Sequence, residues 1–427
     1  YNTTNVRNVV LLGSTKAGKT TLVESMLYEG KVIDRRGAVE NKNTVSDNTE
    51  IEQIYQRSIY STLLYTEFMD NKLNFIDTPG SDDFVGGVIS AFSVCEAGVM
   101  LVNATQGVEV GTDIFARYAK QYNKPLIFAV NQLDSEKQDW HATIDSMRAM
   151  LGKRMVLIQM PVNPGTGFDT FIDVLTNKCY HFKDENGTRE EMPIPDELAD
   201  EVAQMRQNMM EVAAEGTEEL MEIFFEKGEL TIDQMRAGLS AGIAAGTAYP
   251  VFCLSAKRDI GVKRLMEFII NVVPAPSKKE AKLNNGGTVK FDASAPTSLF
   301  VFKTAQEQHL GDVTYFKVIT GTLKEGDDLI NPETGNKERI SAIYAVAGKK
   351  REKVSEVHAG DIACTVKLKS VKSNQTLCAP GCDNVYEPTQ YPAPKYRTAI
   401  KAKEEKDEEN LGELLSKASA EDPTIHV

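Results

Sequence analysis

The sequence has little of what marks membrane or nucleic-acid-coating proteins. No apolar run approaches the roughly twenty residues of a membrane span, and the chain does not open with the charged and then apolar stretch of a signal sequence. Lys and Arg number 48 against 61 Asp and Glu, so the net charge of −13 argues against DNA or RNA binding through bulk positive charge. Any RNA contact must be local. Its best candidate is the cluster of Lys349, Lys350, Arg351 and Lys353, for which a solvated hairpin end is the alternative.

Cysteine is also scarce. Six cysteines are scattered through 427 residues, which is typical of free thiols in a reducing compartment, here the cytoplasm. Cys378 and Cys382 are the closest pair, but no second pair stands nearby to complete a zinc site. The length predicts two or three domains, and no heptad or apolar repeat stands out, so we expect a monomer.

The most informative stretch is Gly13-Ser14-Thr15-Lys16-Ala17-Gly18-Lys19-Thr20, which follows an apolar run and precedes a helical pattern that begins at Thr21. This is a phosphate-binding loop in its required context. The glycines let backbone N–H groups turn around a phosphate, and Lys19 supplies charge to the β- and γ-phosphates. The Thr20 hydroxyl can ligate Mg²⁺. We predict nucleotide binding by residues 13–21.

Strand-like and helical patterns alternate up to about residue 150, which predicts a mostly parallel sheet covered on both faces, with its ligand at the carboxyl ends of the strands. The predicted strands are Val9–Leu12, Leu73–Ile76, Gly98–Val102 and Leu126–Val130. The predicted helices are Thr21–Glu29, Val85–Cys95, Gly111–Tyr122 and Asp139–Leu151.

The loops after these strands carry three more motifs. In Asp77-Thr78-Pro79-Gly80 the Asp can hold Mg²⁺ through water, and the Gly80 N–H can meet a γ-phosphate. In Asn131-Gln132-Leu133-Asp134 the carboxylate can accept two hydrogen bonds from guanine, a donor pair that adenine lacks. Ser255-Ala256-Lys257 can close the base pocket with backbone N–H groups. In this order the motifs predict a site for GTP or GDP with Mg²⁺.

The remaining chain divides by pattern. An insertion is predicted at about residues 153–249, with a strand at Met155–Met160, a hairpin near Glu185-Asn186-Gly187, three helices (Asp196–Glu215, Glu218–Lys227, Ile232–Ala245) and core methionines that include Met205, Met209, Met210 and Met221. Helix Val262–Val272 completes the first domain at residue 277, and a linker is predicted over residues 278–287.

Residues 288–391 predict a small β-barrel with strands at Ser298–Ala305, Val313–Ile319, Asp328–Ile330, Lys337–Val346 and Asp361–Val366. Residues 392–427 predict the start of a third domain, with a strand at Lys395–Ala402 and a helix at Asp407–Ala420. Because another strand is predicted to begin at Thr424–Val427, we expect the sequence to be a fragment of a longer protein.

With these motifs the chain resembles bacterial elongation factor G, a ribosomal translocase among the translational GTPases. The likeness covers the whole chain, including Gly311-Asp312 and Ala359-Gly360-Asp361-Ile362-Ala363 in the predicted barrel. It implies a multidomain fold: an α/β P-loop GTPase domain with an inserted α+β subdomain, a translation-factor β-barrel, and the start of an α+β third domain. It also implies action on the ribosome, that is on rRNA and ribosomal proteins with tRNA and mRNA, in translocation.

Four positions depart from the family pattern. Where this chain has Ser81, the family has a histidine that orients the attacking water. Where this chain has Tyr60, the family has a threonine that closes over Mg²⁺. A serine oxygen is too close to the backbone to replace the imidazole, and no other histidine lies near in sequence. Asp82 and Asp83 could orient water instead, or form an exposed acidic turn, and Ser61 or Thr62 could replace the threonine if the register slips.

The other two departures concern affinity. Lys16 stands where the family has an Asp that helps to hold a monovalent cation, so its ammonium either takes that cation's place or points into solvent. Gln132 replaces a lysine whose stem packs over the base, which lowers the expected guanine affinity but leaves selectivity with Asp134.

We therefore expect a GTP-binding paralogue whose hydrolysis is weak or absent. A fully active ribosomal GTPase and a nucleotide-independent ribosome binder are the alternatives.

Overall fold

A computed structural model of the protein describes residues 1–184, 187–307 and 310–427, with only the backbone of Lys406. The centre of the hairpin predicted near Glu185-Asn186-Gly187 lies outside the described residues. The chain forms two compact units. The first unit comprises Val9–Asp82 and Cys95–Pro274, and the second comprises Tyr1–Asn8, Asp83–Val94 and Ala275–Val427.

The described residues form strands and α-helices that we number in chain order. The strands are β1 (Val6–Leu12), β2 (Thr62–Phe68), β3 (Asn71–Asp77), β4 (Ala97–Asn103), β5 (Leu126–Asn131), β6 (Met155–Leu157), β7 (Gln159–Pro161), β8 (Thr170–Asp173), β9 (Lys178–Phe182), β10 (Arg189–Met192), β11 (Tyr249–Cys253), β12 (Glu280–Lys282), β13 (Thr288–Lys290), β14 (Ser298–Glu307), β15 (Gly311–Thr320), β16 (Thr322–Lys324), β17 (Asp328–Ile330), β18 (Lys337–Arg339), β19 (Ile343–Ala347), β20 (Lys350–Val354), β21 (Glu356–His358), β22 (Ile362–Val366) and β23 (Thr376–Cys378). The helices are α1 (Lys19–Glu29), α2 (Glu50–Tyr55), α3 (Val85–Val94), α4 (Val110–Gln121), α5 (Trp140–Leu151), α6 (Ala199–Ala214), α7 (Glu218–Lys227), α8 (Ile232–Ala245), α9 (Val262–Val272) and α10 (Glu408–Glu421).

The main sheet of the first unit has seven strands in the order β2-β3-β1-β4-β5-β11-β6. The β1–β4, β4–β5, β5–β11 and β11–β6 pairs are parallel, whereas β2 and β3 form an antiparallel pair. Every residue of β4 and β5 is buried, as expected for parallel strands covered on both faces. The predicted strands and helices up to residue 151 are confirmed to within a few residues at their ends.

The chain between β5 and β11 contains a second sheet, in the order β10-β9-β8-β7, and the helices α6, α7 and α8. Thr217 and Thr231 cap α7 and α8, because each hydroxyl accepts a backbone N–H three residues on. The predicted core methionines are confirmed: Met209 is fully buried, and Met205, Met210 and Met221 pack against the same core. The strand predicted at Met155–Met160 breaks at Ile158 into β6 and β7, and β6 pairs with β11 in the main sheet.

The second unit is built on an eight-stranded antiparallel sheet in the order β18-β17-β23-β14-β15-β22-β19-β20. Its core includes Leu299, Phe316 and Val318 from the two longest strands. The strand predicted at Lys337–Val346 is two strands, β18 and β19, which pair with different neighbours. The predicted linker holds β12, which pairs with β13 in a two-stranded ribbon.

Two strand predictions are wrong. Residues 424–427 form no strand in the part of the chain that the structure describes: a turn there is followed by irregular backbone. Residues 395–402 form no strand in the described structure, and all but Ala402 are exposed. Their alternating pattern has no neighbouring strand to pair with, and a lone strand leaves its backbone groups unpaired. The helix predicted at Asp407–Ala420 is confirmed as α10. Across the described part of the chain, no helix is long and apolar enough to cross a membrane.

The basic cluster at residues 349–353 lies at the β19–β20 hairpin. Lys353 Nζ lies 2.8 Å from Glu325 Oε1, and Arg351 pairs with Glu307. At least two of the four cations are therefore paired with carboxylates of the same unit, which favours the solvated hairpin over an RNA contact.

Candidate functional site

The predicted phosphate loop joins β1 to the first residue of α1. Gly13 and Gly18 have φ of +141° and +95°, values that side chains rarely adopt. A Cβ on Gly18 would lie 2.2 Å from Asn131 Nδ2, and one on Gly13 would lie 2.6 Å from Leu101 O. Both glycines are therefore needed for the loop to turn between the sheet and the helix.

Lys19 lies at the centre of this loop and is 5% exposed. Its Nζ donates to Gly13 O at 2.8 Å and to Ser14 O at 3.1 Å. Burial lowers the pKa of Lys19 to about 8, and the Asp77 charge acts in the opposite direction. These two hydrogen bonds hold the Lys19 ammonium inside the loop.

Thr15 and Lys16 form the exposed tip of the loop, whereas Ser14 and Ala17 are buried. Lys16 has φ of +67°, and its carbonyl accepts a hydrogen bond of 2.8 Å from Gln132 Nε2. The exposure of Lys16 agrees with the solvent-facing alternative for this side chain.

The loop after β3 lies against the phosphate loop. Asp77 is fully buried, and its Oδ2 accepts from Thr20 Oγ1 at 2.9 Å. Thr78 Oγ1 donates to Leu11 O, which fixes the turn before Pro79. A Cβ on Gly80 would lie 2.6 Å from the Thr15 backbone nitrogen and 2.7 Å from Lys19 Nζ, so only glycine allows this approach. The half-buried Ser81 follows directly.

The base-side motifs are joined to the phosphate loop through one amide. Asn131 Nδ2 donates to Ala17 O at 3.0 Å, and Asn131 Oδ1 accepts the Ala256 N–H at 2.9 Å. Ser25 Oγ of α1 donates to Ala256 O at 2.6 Å. The half-buried Asp134 lies in the same loop as Asn131.

The remaining predicted site residues lie on these same segments. Ser255 is buried behind the base loop and Lys257 is exposed at its tip, and Thr21 is half-buried in the first turn of α1.

Three residues that the sequence did not single out join the site from the segment between α1 and β2. Ser46 Oγ donates to Asp77 Oδ2 at 2.6 Å, and Ser58 Oγ donates to Asp47 Oδ1 at 2.7 Å. Ser58 Oγ also lies 3.3 Å from Thr20 Oγ1.

Two buried glutamates hold this segment. Glu24 of α1 accepts the N–H groups of Gly37 and Val45, each at 2.6 Å. Glu52 of α2 accepts the N–H groups of Ile59 and Tyr60, each at 3.1 Å. Tyr60 is 43% exposed. The segment is therefore fixed from both sides of Asp47.

Comparison with known proteins identifies the family. The family model for the elongation factor Tu GTP binding domain matches residues 4–275, and the model for elongation factor G domain 2 matches residues 296–380. The first match alone covers more than half of the chain. The chain belongs to the translational GTPases of the elongation factor G type. It is also similar to the crystal structure of ttk003000868 from Thermus thermophilus, with 28% sequence identity and a TM-score of 0.87.

That match covers 99% of this chain and 61% of the Thermus chain. The chain thus spans about three fifths of the length of its relative. The family binds guanine nucleotide through its GTPase domain.

For a GTPase of this type, the residues around Asp77 fit a hard divalent cation. The side chains of Thr20, Ser46, Asp47, Ser58 and Asp77 present only oxygen atoms, which are the ligands that Mg²⁺ prefers. Asp77 Oδ1 is buried, and among the described residues it has no hydrogen-bond partner. Burial and then the Asp77 charge raise the pKa of Asp47 to about 7, and burial raises the pKa of Asp77. A bound cation would stabilise the charged form of these buried carboxylates.

A second buried acid follows the base loop of this GTPase. Asp259 is 1% exposed and has φ of +59°. Burial and then the charge of Glu29 raise its pKa from 3.8 to about 8. The folded state therefore holds the Asp259 proton more tightly than the unfolded state, and this group lowers stability as pH rises from about 4 to about 8.

We expect Asp259→Asn to stabilise the protein by about 1–3 kcal/mol at pH 8 and by much less at pH 5, because asparagine cannot ionise and tolerates positive φ. Urea unfolding at both pH values measures this difference. Asp70→Asn is the matched control, since Asp70 also has positive φ (+56°) but is exposed. Equal effects of both variants at both pH values would contradict the prediction.

Proposed function

We propose that this protein is an elongation-factor-G-like translation factor that binds GTP and Mg²⁺, acts on cytoplasmic ribosomes in translocation, and hydrolyses GTP slowly or not at all. It works as a monomer, and its ribosomal contacts include rRNA and ribosomal proteins together with tRNA and mRNA. The 278–287 linker, the 288–391 barrel and the domain that begins at 392 follow the nucleotide domain of residues 1–277. We infer slow hydrolysis from the serine at position 81, which directly follows Gly80, the residue that lies against the phosphate loop.

The residues of the pocket divide the work of binding. Lys19, whose ammonium lies inside the loop, would neutralise phosphate charge. Backbone N–H groups of the loop and of Gly80, which lies against it, would donate to phosphate oxygens. Thr20 and Asp77 would hold Mg²⁺, Asp77 through water, and the ion would supply charge stabilisation to the phosphates. Asp134 selects guanine, and Asn131 keeps the base loop and the phosphate loop in register.

The hydrolytic step needs a group that orients water toward the γ-phosphate. The resemblance to elongation factor G places a histidine at this point, and a group of that kind contributes about 10²–10⁴ in rate. The Ser81 oxygen lies one bond from Cβ and cannot reach as far as an imidazole nitrogen. The chain thus keeps the residues that bind the nucleotide but lacks the family's histidine, which orients the attacking water.

Thermal melting of the full-length protein with Mg²⁺ tests nucleotide binding. GTP and GDP at about a hundred times their dissociation constants should each stabilise the folded state by about 2.7 kcal/mol, and ATP should have no effect, because Asp134 accepts a donor pair that adenine lacks. Stabilisation by none of the three would instead support a nucleotide-independent ribosome binder.

A further inference from the structure

A hydroxyl other than that of residue 60 lies beside the phosphate loop, close to the position of the family threonine. Tyr60 stands at the threonine position, but its N–H is bound to Glu52 Oε1 at 3.1 Å and its side chain is 43% exposed. Two residues earlier, Ser58 Oγ lies 3.3 Å from Thr20 Oγ1, the hydroxyl at the start of α1. A side chain that the family pattern does not use thus faces the cation-ligating edge of the phosphate loop.

Ser58 belongs to a continuous chain of five oxygen-bearing side chains. From one end to the other these are Asp47, Ser58, Thr20, Asp77 and Ser46, with successive oxygen distances of 2.7, 3.3, 2.9 and 2.6 Å. Ser46, Asp47, Thr20 and Asp77 are all buried. Asp77 Oδ1, which is fully buried, has no hydrogen-bond partner within the described residues. This row of side chains therefore contains a buried acceptor oxygen that receives no hydrogen bond from the described residues.

The backbone around these residues is held by hydrogen bonds within the protein. Glu24 accepts the N–H groups of Gly37 and of Val45, and Val45 directly precedes Ser46. Thr62 Oγ1 donates to Ser46 O at 3.2 Å. Glu52 fixes Ile59 directly after Ser58, at 3.1 Å. Because both flanks of Asp47 and Ser58 are anchored, these oxygens keep their positions beside Thr20.

The charges in this cluster also call for a cation. Asp47 and Asp77 are two carboxylates within one buried hydrogen-bonded cluster, and the buried Lys19 ammonium offsets only part of their charge. Buried like charges are costly unless they are paired or coordinate a metal. Hydroxyl and carboxylate oxygens are hard ligands, which suit Mg²⁺ better than softer ions.

We propose that Ser58, positioned by Asp47, completes the Mg²⁺ site of this GTPase in place of the family threonine that Tyr60 has replaced. The inference rests on the proposed binding of guanine nucleotide with Mg²⁺. It separates two losses that the sequence suggests together: the metal site is kept through Ser58, and the fault in hydrolysis lies at Ser81 alone.

The test is the release of a fluorescent GDP analogue from the full-length protein, followed in EDTA and over a Mg²⁺ titration. Ser58→Ala should raise the Mg²⁺ concentration needed for half-maximal retention by about 10–100-fold, whereas Ser58→Thr, which keeps the hydroxyl, should stay close to the parent. Release in EDTA should be the same for all of these proteins. Tyr60→Thr should leave the Mg²⁺ midpoint unchanged, because the N–H of residue 60 is held by Glu52 and its side chain is 43% exposed.

The matched control is Ser294→Ala, because Ser294 Oγ donates to Asp292 Oδ1 at 2.7 Å, the same contact at the same distance as that from Ser58 to Asp47, but on the exposed surface of the other unit. An unchanged midpoint in Ser58→Ala, or a lower midpoint in Tyr60→Thr, would overturn the inference while leaving nucleotide binding intact. Absence of GDP binding by the parent would overturn the proposed function and this inference with it.

Discussion

A Ser81→His variant of the full-length protein should release phosphate from GTP on ribosomes about 10²–10⁴-fold faster than the parent. The structure supplies the reason. Gly80 lies against the phosphate loop, so the next residue is placed beside that loop. Ser81 is half-buried there, and an imidazole on the same backbone extends several ångströms farther than the hydroxyl. Single-turnover phosphate release measures the gain directly.

Ser81→Ala is the control for this substitution and should release phosphate as slowly as the parent, because the serine hydroxyl is not expected to orient water. The competing account assigns that task to Asp82 or Asp83. If the parent is fast, Ser81→Ala is unchanged, and Asp82→Ala or Asp83→Ala is inactive, the chain is a competent GTPase with a different water-orienting residue. Slow release by both parent and Ser81→His would move the fault to the segment that contains Tyr60 and Ser58.

Lys19→Met should lower the affinity for GTP and GDP by at least about 10²-fold. The ammonium lies inside the phosphate loop, where its hydrogen bonds to Gly13 O and Ser14 O hold it 2.8 and 3.1 Å from those carbonyls. A charge-assisted hydrogen bond contributes about 1.5–3 kcal/mol, so loss of the bonds that this ammonium would make to phosphate oxygens accounts for the expected change. Methionine fills a similar volume, so the nucleotide-free protein should remain folded. Equilibrium titration with a fluorescent guanine nucleotide gives the affinity.

Lys16→Met is the matched control, since Lys16 belongs to the same loop but is exposed at its tip. We expect less than about a threefold loss of affinity from it. A loss as large as that of Lys19→Met would show that the Lys16 ammonium takes the place of a cation beside the phosphates. Equal affinity of Lys19→Met and the parent would contradict the assignment of the loop.

The sequence predicted the central sheet well because its physics is local. Strands β1, β3 and β5 are short apolar runs that end in loops with distinctive residues, and parallel strands bring such loops to one edge. The bond from Asn131 Nδ2 to Ala17 O joins residues that are 114 positions apart, yet both lie at such strand ends. The order of the motifs along the chain and the parallel arrangement of the strands therefore predict that these two loops lie close together.

The segment between α1 and β2 was less predictable. Ser46, Asp47 and Ser58 lie outside β-strands and α-helices, and their positions depend on long-range bonds to Glu24, Asp77 and Thr20 that no local pattern encodes. The wrong strand at residues 395–402 has a related cause. Strand formation depends on a partner, and local alternation does not show whether one is present.

The most direct test of the whole account measures two quantities on the same full-length protein: GTP binding in the presence of Mg²⁺, and single-turnover phosphate release on ribosomes. We expect saturable, guanine-specific binding together with phosphate release at least about 10²-fold slower than that of an ordinary elongation factor G assayed alongside. Tight binding followed by equally fast release would contradict it, and would show that Ser81 does not limit hydrolysis in this protein.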